Sequence, residues 1–181
     1  RPGVLNIFCD ASVVPKDDCT YFGCPGAMAI NNEGMNIDTL YRLFSNSTNN
    51  HSEITAILLS FYLAHKHQNY FREINIFSDS QISVFGLRNW MYGWLQNKNN
   101  GRLLNSCGEE VANQEIFLQI IQYVLDTRVR TSLYHVKGHV DPTKPVLIAK
   151  AIKTFKSSNG IDMDMTTACI VADYNDKVDT C

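Results

Sequence analysis

Continuous apolar runs alternate along the chain with segments whose apolar residues recur at helical spacing. Two of these runs are strongly β-branched and predict buried strands that end at Asp10 and at Asp79. Glycine, proline and asparagine punctuate the chain between the shorter runs, as is typical of turns. Strands are predicted at 4–12, 26–30, 37–44, 72–80 and 130–136. The first three, joined by short connections, predict a meander.

Helical spacing of apolar residues covers several segments between these strands. Ser52 is predicted to cap the first helix. Helices are predicted at 52–64, 81–94, 113–127 and 172–181. The stretch 142–172 carries two prolines and a lysine-spaced amphipathic run, so it is predicted to be an insertion before the last helix. The order of elements indicates one α/β domain over residues 1–181, with a mixed sheet.

Three carboxylates occur where these elements would bring them together. Asp10 and Asp79 each end an apolar strand, and neighbouring strands of an open α/β sheet present such residues at the edge where ligands bind. Glu53 lies on the stripe of its helix that should pack on the sheet, so it points toward the aspartates. Clustered carboxylates repel one another unless cations bind them, and hard oxygen ligands suit Mg²⁺ or Mn²⁺. Each acid alone is more typical of a turn, a helix cap or a dipole partner; the set predicts a metal site.

Composition and charge narrow the possibilities further. The 45% apolar content of the 181 residues suffices for one core. Without a long apolar run or a signal-peptide pattern, we expect a cytoplasmic protein with no membrane partner, and the two ends of the sequence suggest a piece of a longer chain. The six cysteines lack zinc-site spacing, so mostly reduced thiols are expected. The net charge of −2 means that nucleic acid would have to bind through a local basic patch.

The same segments resemble the ribonuclease H family, type 1. IFCDAS (7–12) is similar to the family's IFTDGS strand, and STNNHSEITAILLSFYLA (47–64) to its TTNNRMEL helix. INIFSDSQISVFGLRNWMYGW (74–94) resembles its TDSQYV strand and following W-x-x-x-W helix, VKGH (136–139) matches letter for letter, and NDKVDT (175–180) is similar to NERCDELA. The resemblance covers residues 4–181 in family order and implies a ribonuclease H-like fold with a five-stranded mixed sheet flanked by helices.

The resemblance also implies an activity and a metal-ligand set. It implies a metal-dependent endonuclease that hydrolyses the RNA strand of RNA–DNA hybrids and leaves 3′-hydroxyl and 5′-phosphate ends. Asp10, Glu53, Asp79 and Asp179 would hold two Mg²⁺ or Mn²⁺ ions, one activating water and the other stabilising the leaving oxygen. The spacing Asn175-x-x-x-Asp179 favours Asp179 over its acidic neighbours. His139 would help the product leave or shuttle a proton.

Substrate-binding positions follow from the same resemblance. They divide into residues that contact the minor groove, where 2′-hydroxyls distinguish RNA from DNA, a phosphate pocket for the DNA strand, and a groove wall. The minor-groove set is Ser12, Asn49, Asn50 and Gln81; the phosphate pocket is Thr48 and Asn113; the wall is Trp90 and Trp94; and Asn175 completes the set. An aromatic pair at i and i+4 is as often core as contact surface.

Several alternatives remain open from the sequence. Related folds include nucleases and integrases that act on DNA, although VKGH and the asparagine pair favour a hybrid substrate. A hybrid-binding module with weak catalysis is a further alternative, although the four acids favour an enzyme. The domain could belong to a larger polypeptide such as a reverse transcriptase. The lysine-spaced run in the insertion, comprising Lys144, Lys150, Lys153 and Lys156, is either a basic surface near the active site or a solvated helix face.

Overall fold

The structure is a computed structural model of the chain and describes residues 3–15, 17, 21–45 and 48–178. Its strands are β1 (Val4–Pro15), β2 (Tyr21–Ile30), β3 (Asn36–Tyr41), β4 (Phe44–Ser45), β5 (Glu73–Ser78) and β6 (Arg130–His135). Its α-helices are α1 (Asn49–His67), α2 (Gln81–Phe85), α3 (Met91–Gln96), α4 (Gln114–Asp126), α5 (Pro145–Asn159) and α6 (Met165–Val178). A π-helical turn, Gly86–Trp90, joins α2 to α3, and a 3₁₀ turn, Gln68–Tyr70, follows α1.

The strands form one mixed sheet in the order β3-β2-β1-β5-β6. The first three strands pair antiparallel, as the predicted meander requires, whereas β1, β5 and β6 run parallel. The short strand β4 also pairs with β2, so the described part of the chain has a sixth strand beyond the predicted five. The parallel register pairs Cys9 on β1 with Ser78 on β5.

Alternate side chains of the central strands enter two different core clusters. Leu5 and Ile7 of β1 are fully buried in the larger cluster, which also contains the apolar residues of α1 and α4. Phe8 belongs to the other cluster, where its ring stacks on Phe77 at a centroid distance of 5.1 Å, together with residues of α5 and α6. This alternation is the strand period of two, and it sandwiches the sheet between helices.

The helix boundaries differ from the predictions at two places. The first helix begins at Asn49, and its cap is Thr48, whose side-chain oxygen accepts a hydrogen bond from the backbone N–H of His51 at 3.2 Å. The prediction of Ser52 as the cap is therefore wrong, because the polar first turn carries no apolar periodicity that would reveal it. The last helix begins at Met165 rather than after residue 172, since Asp164 caps it by accepting from the backbone N–H of Thr167 at 2.7 Å.

The cysteines also depart in part from the expectation of reduced thiols. Cys9, Cys107 and Cys169 are free. Cys24 is disulfide-bonded, and its partner lies outside the described residues. Cys24 is therefore an exception to the expectation of mostly reduced thiols, and the spacing of the cysteines did not indicate it.

None of the helices that the structure describes is both long enough and apolar enough to cross a membrane.

A polar network attaches α5 to the sheet. The side chain of Asn159 accepts a hydrogen bond from the backbone N–H of His135 at 3.0 Å and donates to the carbonyl oxygen of the same residue at 2.7 Å. The guanidinium of Arg88 donates to the carbonyl oxygens of Leu133 and Ser158 and to the side chain of Asn159. The helix within the predicted insertion is therefore anchored to β6 and to the π-helical turn.

Asp38 of β3 joins the sheet to the last turn of α1. Its carboxylate accepts hydrogen bonds from Lys66 Nζ at 2.7 Å and from His67 Nε2 at 2.9 Å. Burial acts to raise the pKa of Asp38, but the hydrogen bonds and charges of Lys66 and His67 outweigh it and hold the pKa below its ordinary value.

Replacing this carboxylate should destabilise the protein in a pH-dependent way. We expect Asp38→Asn to lower the free energy of unfolding by about 1 kcal/mol at neutral pH, the upper end for a partly exposed ion pair. Because the pKa of Asp38 is lower in the folded state than in the unfolded state, its carboxylate stabilises the folded protein at pH values above the unfolded-state pKa of about 4. This stabilisation is lost as the pH falls through the folded-state pKa. Urea unfolding at pH 7 and at a pH below that range measures the difference; Asp126→Asn, at an exposed acid on α4, is the control. An equal effect of Asp38→Asn at both pH values would contradict the ion-pair explanation.

Candidate active site

Asp10 and Asp79 occupy adjacent positions at the sheet. Because Cys9 pairs with Ser78 in parallel register, the next residue on each chain segment is an aspartate. Asp10 is buried, and its Oδ1 accepts a hydrogen bond from the backbone N–H of Ala11 at 2.8 Å. Burial raises the pKa of the Cys9 thiol to about 12, and the negative charges of Asp79 and Asp10 add to that shift. The buried thiol therefore lies within electrostatic reach of both carboxylates.

Glu53 of α1 approaches the same place from the helix layer. Its Oε2 accepts a hydrogen bond from Ser80 Oγ at 3.0 Å, and Ser80 directly follows Asp79. Partial burial raises the pKa of Glu53, the hydrogen bond from Ser80 lowers it, and the charge of Asp79 raises it further, so that the net shift is upward. The structure therefore brings Glu53 together with Asp79, as the stripe on α1 predicts. Ser80 was not predicted as a site residue. A serine closely follows the aspartate at both strand ends, in Asp10-Ala11-Ser12 and in Asp79-Ser80, and this repeated pattern could have indicated it.

The VKGH segment after β6 borders Asp79 through its glycine. A Cβ atom on Gly138 would overlap Oδ2 of Asp79 and would lie 3.1 Å from its Cβ. His139 follows, exposed, with the left-handed backbone angle φ of 55°. The segment therefore packs against Asp79 at a position where only glycine leaves room, a role of Gly138 that the sequence did not reveal.

The predicted fourth acid, Asp179, lies outside the described residues. The last described residue of α6 is Val178, whose carbonyl oxygen accepts a hydrogen bond from Tyr41 Oη at 3.2 Å. The ring of Tyr41 covers Gly26, which is the β2 partner of Asp10, and a Cβ atom at Gly26 would overlap that ring. The end of α6 is thus held above the strand pair that contains Asp10.

Asn175 on α6 lies mostly inside the protein. Its side chain is 4% exposed, and its Oδ1 is buried without a hydrogen-bond partner. Its role as a substrate-binding residue stays a prediction. Asn175 lies on the inward face of α6 because of how the helix packs, and the family motif does not indicate this burial.

The chemistry of the carboxylate cluster fits a hard divalent cation. Asp10, Glu53 and Asp79 offer only carboxylate oxygens, the ligands that Mg²⁺ and Mn²⁺ prefer. Within the described residues, no three side chains of His, Cys, Asp or Glu converge closely enough to hold one ion as they stand. The carboxylates are turned toward other groups: Asp10 toward the N–H of Ala11 and Glu53 toward Ser80. Ion binding would therefore reorient these side chains.

Most predicted substrate-binding residues surround the start of α1 and the neighbouring helices. Asn50, Trp90 and Asn113 line one surface pocket together with Ile54 and Ile82, so three residues distant in sequence share a site. The exposed residues Thr48 and Asn49 lie at the start of the same helix. Ser12 is half-buried on β1, two residues beyond Asp10, and Gln81 is exposed at the start of α2, two residues beyond Asp79.

The two tryptophans have different environments. Trp90 is 49% exposed, whereas Trp94 packs edge-on against Phe117 at a centroid distance of 5.0 Å and belongs to the periphery of the main core. Their rings are 6.4 Å apart. Trp90 is therefore available as a contact surface, and Trp94 mainly supports it. Asn113, which precedes α4, has the left-handed φ of 56°.

Comparisons with known proteins indicate the family of the chain. A family model described as RNase H matches residues 2–145, which include Asp10, Glu53, Asp79 and His139. Ribonuclease HI of Haemophilus influenzae is 27% identical over 141 residues, which cover 76% of this chain and 80% of that protein.

Two solved structures show the fold. LC11-RNase H1 from compost, in complex with an RNA/DNA hybrid, has a TM-score of 0.51 at 14% identity over 74% of this chain and 85% of that chain. The foamy viral protease-reverse transcriptase in complex with an RNA/DNA hybrid has a TM-score of 0.59 at 14% identity over 92% of this chain and 20% of that chain. The predicted ribonuclease H-like fold is therefore confirmed. Since the family model matches well over half of its length, the chain belongs to the ribonuclease H family of enzymes.

Proposed function

We propose that this ribonuclease H hydrolyses the RNA strand of RNA–DNA hybrids as a metal-dependent endonuclease that leaves 3′-hydroxyl and 5′-phosphate ends. The observation that carries the proposal is the adjacency of Asp10 and Asp79 on neighbouring strands, with Glu53 close to Asp79. The parallel register makes the two aspartates neighbours, and Ser80 holds the carboxylate of Glu53 beside Asp79. Two structures of similar fold are complexes with RNA/DNA hybrid, which supports the same substrate class here.

The carboxylates provide the place for the metal. Enzymes of this family generally use divalent metal ions. Asp10, Glu53, Asp79 and Asp179 would hold two Mg²⁺ or Mn²⁺ ions, which when bound supply an activated water and charge stabilisation for the leaving oxygen. The inclusion of Asp179 is supported by the anchoring of Val178 through Tyr41, because that contact holds the end of α6 near the partner strand of Asp10.

Neighbouring groups orient the acids. The N–H of Ala11 holds one oxygen of Asp10, and Ser80 Oγ holds one oxygen of Glu53, so both carboxylates are oriented by neighbouring donors. Gly138 lets the following segment approach Asp79 closely, which keeps His139 one residue from that contact. From there His139 would accept or deliver a proton, or help the product leave.

Substrate contacts follow from the exposed polar groups around the site. Asn49, Asn50, Ser12 and Gln81 would contact the minor groove, where 2′-hydroxyl groups identify the RNA strand. Thr48 and Asn113 would receive a phosphate of the DNA strand, and the exposed ring of Trp90, which lines a pocket with Asn113, would form a wall of the groove.

The chain also resembles a domain of a larger protein. It corresponds to one fifth of the foamy viral protease-reverse transcriptase. We therefore extend the proposal to a chain that works as one domain of a larger polypeptide, in which neighbouring domains would help to hold the hybrid.

The central prediction concerns Asp10. We expect Asp10→Asn to reduce cleavage of the RNA strand by about 10³-fold or more, since removing one preorganised electrostatic group already costs roughly 10²–10³-fold. The measurement uses a labelled RNA–DNA hybrid with Mg²⁺, Mn²⁺ or EDTA, and matched RNA and DNA duplexes.

The control for this experiment is Asp126→Asn, which makes the same chemical change at an exposed position of α4. That variant should cut the hybrid as the unaltered protein does. Unchanged cleavage by Asp10→Asn would overturn the assignment, and preferred cutting of the DNA duplex would replace it by a DNA-directed nuclease.

A second prediction separates function from stability at Glu53. Glu53→Gln keeps an oxygen that can accept from Ser80 Oγ but removes the charge that repels Asp79. We expect cleavage to be lost while the melting temperature in EDTA equals or exceeds that of the unaltered protein.

Glu115→Gln is the matched control for this melting measurement. Glu115 is exposed and pairs with Arg102 at 3.0 Å, so its replacement should give no rise in the melting temperature. A melting temperature of Glu53→Gln well below that of the unaltered protein would contradict repulsion between Glu53 and Asp79.

A further inference from the structure

A groove lies between α5, the start of α2 and the segment that follows β6. Six of the residues that line it are Gln81, His135, Lys137, Lys150, Lys153 and Ser157. We refer to it as the α5 lysine groove. The family match ends at residue 145, where α5 begins, so one wall of the groove is an addition to the part of the chain that the family model describes.

The groove lies directly beside the carboxylates. Gln81 is two residues beyond Asp79, and Lys137 immediately precedes Gly138, whose Cα packs against that acid. Burial lowers the pKa of His135, which lies in the groove, and a hydrogen bond with the backbone of Asp79 acts in the opposite direction. A ligand in the groove would therefore be a neighbour of whatever occupies the active site.

The lysines of the groove differ in their ion pairing from two other lysines, Lys144 and Lys156. Lys137, Lys150 and Lys153 are exposed, and none of them makes an ion pair with a described residue. Lys144 and Lys156, by contrast, are near Asp141 at 3.9 Å and Asp162 at 3.4 Å. The described lining of the groove contains no acidic residue. Lys156 of α5 and Lys144 just before the helix thus lie near acids, whereas the lysines of the groove have no acid beside them in the described lining.

The lysine wall is held in place by the interior side of α5. Ile148 and Phe155 are buried, and Asn159 is bonded to the backbone of His135. The ring nitrogen Nδ1 of His135 is 2.8 Å from Ser158 Oγ. Because the helix is fixed at its end and along its buried face, its lysines form a preorganised surface rather than a mobile arm.

We propose that the α5 lysine groove binds the sugar–phosphate backbone of the nucleic acid next to the scissile bond. Ammonium groups, a hydroxyl and an amide are donors that recognise phosphate oxygens without reading bases. With a net charge of −2, the chain needs such a local patch to hold a polyanion. The inference rests on the proposed function for the identity of the substrate, but its test measures binding separately from cleavage.

The test compares two double variants, one at two lysines of α5 and the other at Lys156 of α5 and at Lys144, the residue that precedes the helix. Lys150→Ala/Lys153→Ala removes two groove charges, and Lys144→Ala/Lys156→Ala removes two charges that are already paired, so the net charges of the two proteins are equal. Affinity for a fluorescently labelled RNA–DNA hybrid is measured by anisotropy in EDTA between about 50 and 200 mM KCl, a range over which phosphate contacts dominate the salt dependence.

We expect the groove variant to show a shallower dependence of hybrid affinity on salt concentration than the unaltered protein. Each lost phosphate contact removes roughly 0.7–0.9 from the slope of log K against log salt, so the groove variant should lose about tenfold less affinity over this interval than the unaltered protein. The control variant should keep the original slope, and Lys150→Arg/Lys153→Arg should restore it. Melting temperatures verify that all variants are folded, as expected for replacements of exposed side chains.

Cleavage assays on the same proteins separate the two proposals. If the protein cuts the hybrid and both double variants show the same salt slope and the same KM, the groove proposal is overturned and the activity stands. If the protein does not cut the hybrid but the slope depends on Lys150 and Lys153, the groove proposal stands and the activity fails. A rise in KM of the groove variant alone supports both.

Discussion

The register of β1 against β5 is the constraint on which the site depends. Pairing Cys9 with Ser78 places two aspartates side by side, an arrangement that their charges oppose. The opposing force is apolar burial, since Ile7 and Ile76, partners across the two strands, are both fully inaccessible to solvent. A slip of one residue would carry every apolar side chain of a strand to the opposite face. The core therefore fixes the position of the carboxylates and supplies the stability that their repulsion removes.

Close backbone approach on each side completes this constraint. Gly26, the partner of Asp10 on β2, lies under the ring of Tyr41, and Gly138 lies against Asp79. A Cβ atom at either position would overlap its neighbour, so both aspartates are bordered by a residue without a side chain. Segments from distant parts of the sequence can thus be packed around two acids with little space to spare.

The order of the elements and the meeting of the acids could be predicted from the sequence because both follow from local signals. The apolar strands that end at Asp10 and Asp79 predict that both acids lie at the same edge of the sheet, and the inward stripe of α1 predicts that Glu53 points toward them. Local patterns of this kind do not predict contacts between segments that are distant in sequence. The contact of Gly138 with Asp79 and the burial of Asn175 depend on how loops and helices pack in three dimensions, and neither leaves a period or a spacing in the sequence.

Local caps and cross-links were missed for related reasons. The first turn of α1 is polar on all sides, so periodicity begins at Ile54, and only the backbone shows that Thr48 is the cap. The disulfide of Cys24 likewise leaves no zinc or redox motif in the sequence. For α1 the predicted element was correct in kind, and the error concerned its first turn, where one hydrogen bond decides the cap.

Electrostatics explains why an acidic site and a basic groove are found next to each other. A cluster of three carboxylates repels a phosphodiester, and cations at the acids can remove this repulsion only where they bind. Attraction for the rest of the polyanion has to come from the protein surface, because a net charge of −2 supplies no general field. Lysines on α5 meet this need without weakening the acids, since Lys150 and Lys153 belong to a separate helix and make no ion pair with a described residue. Placing the two charge signs on different elements keeps the carboxylates and these lysines from pairing with one another, so that the acids stay available to cations and the lysines to phosphates.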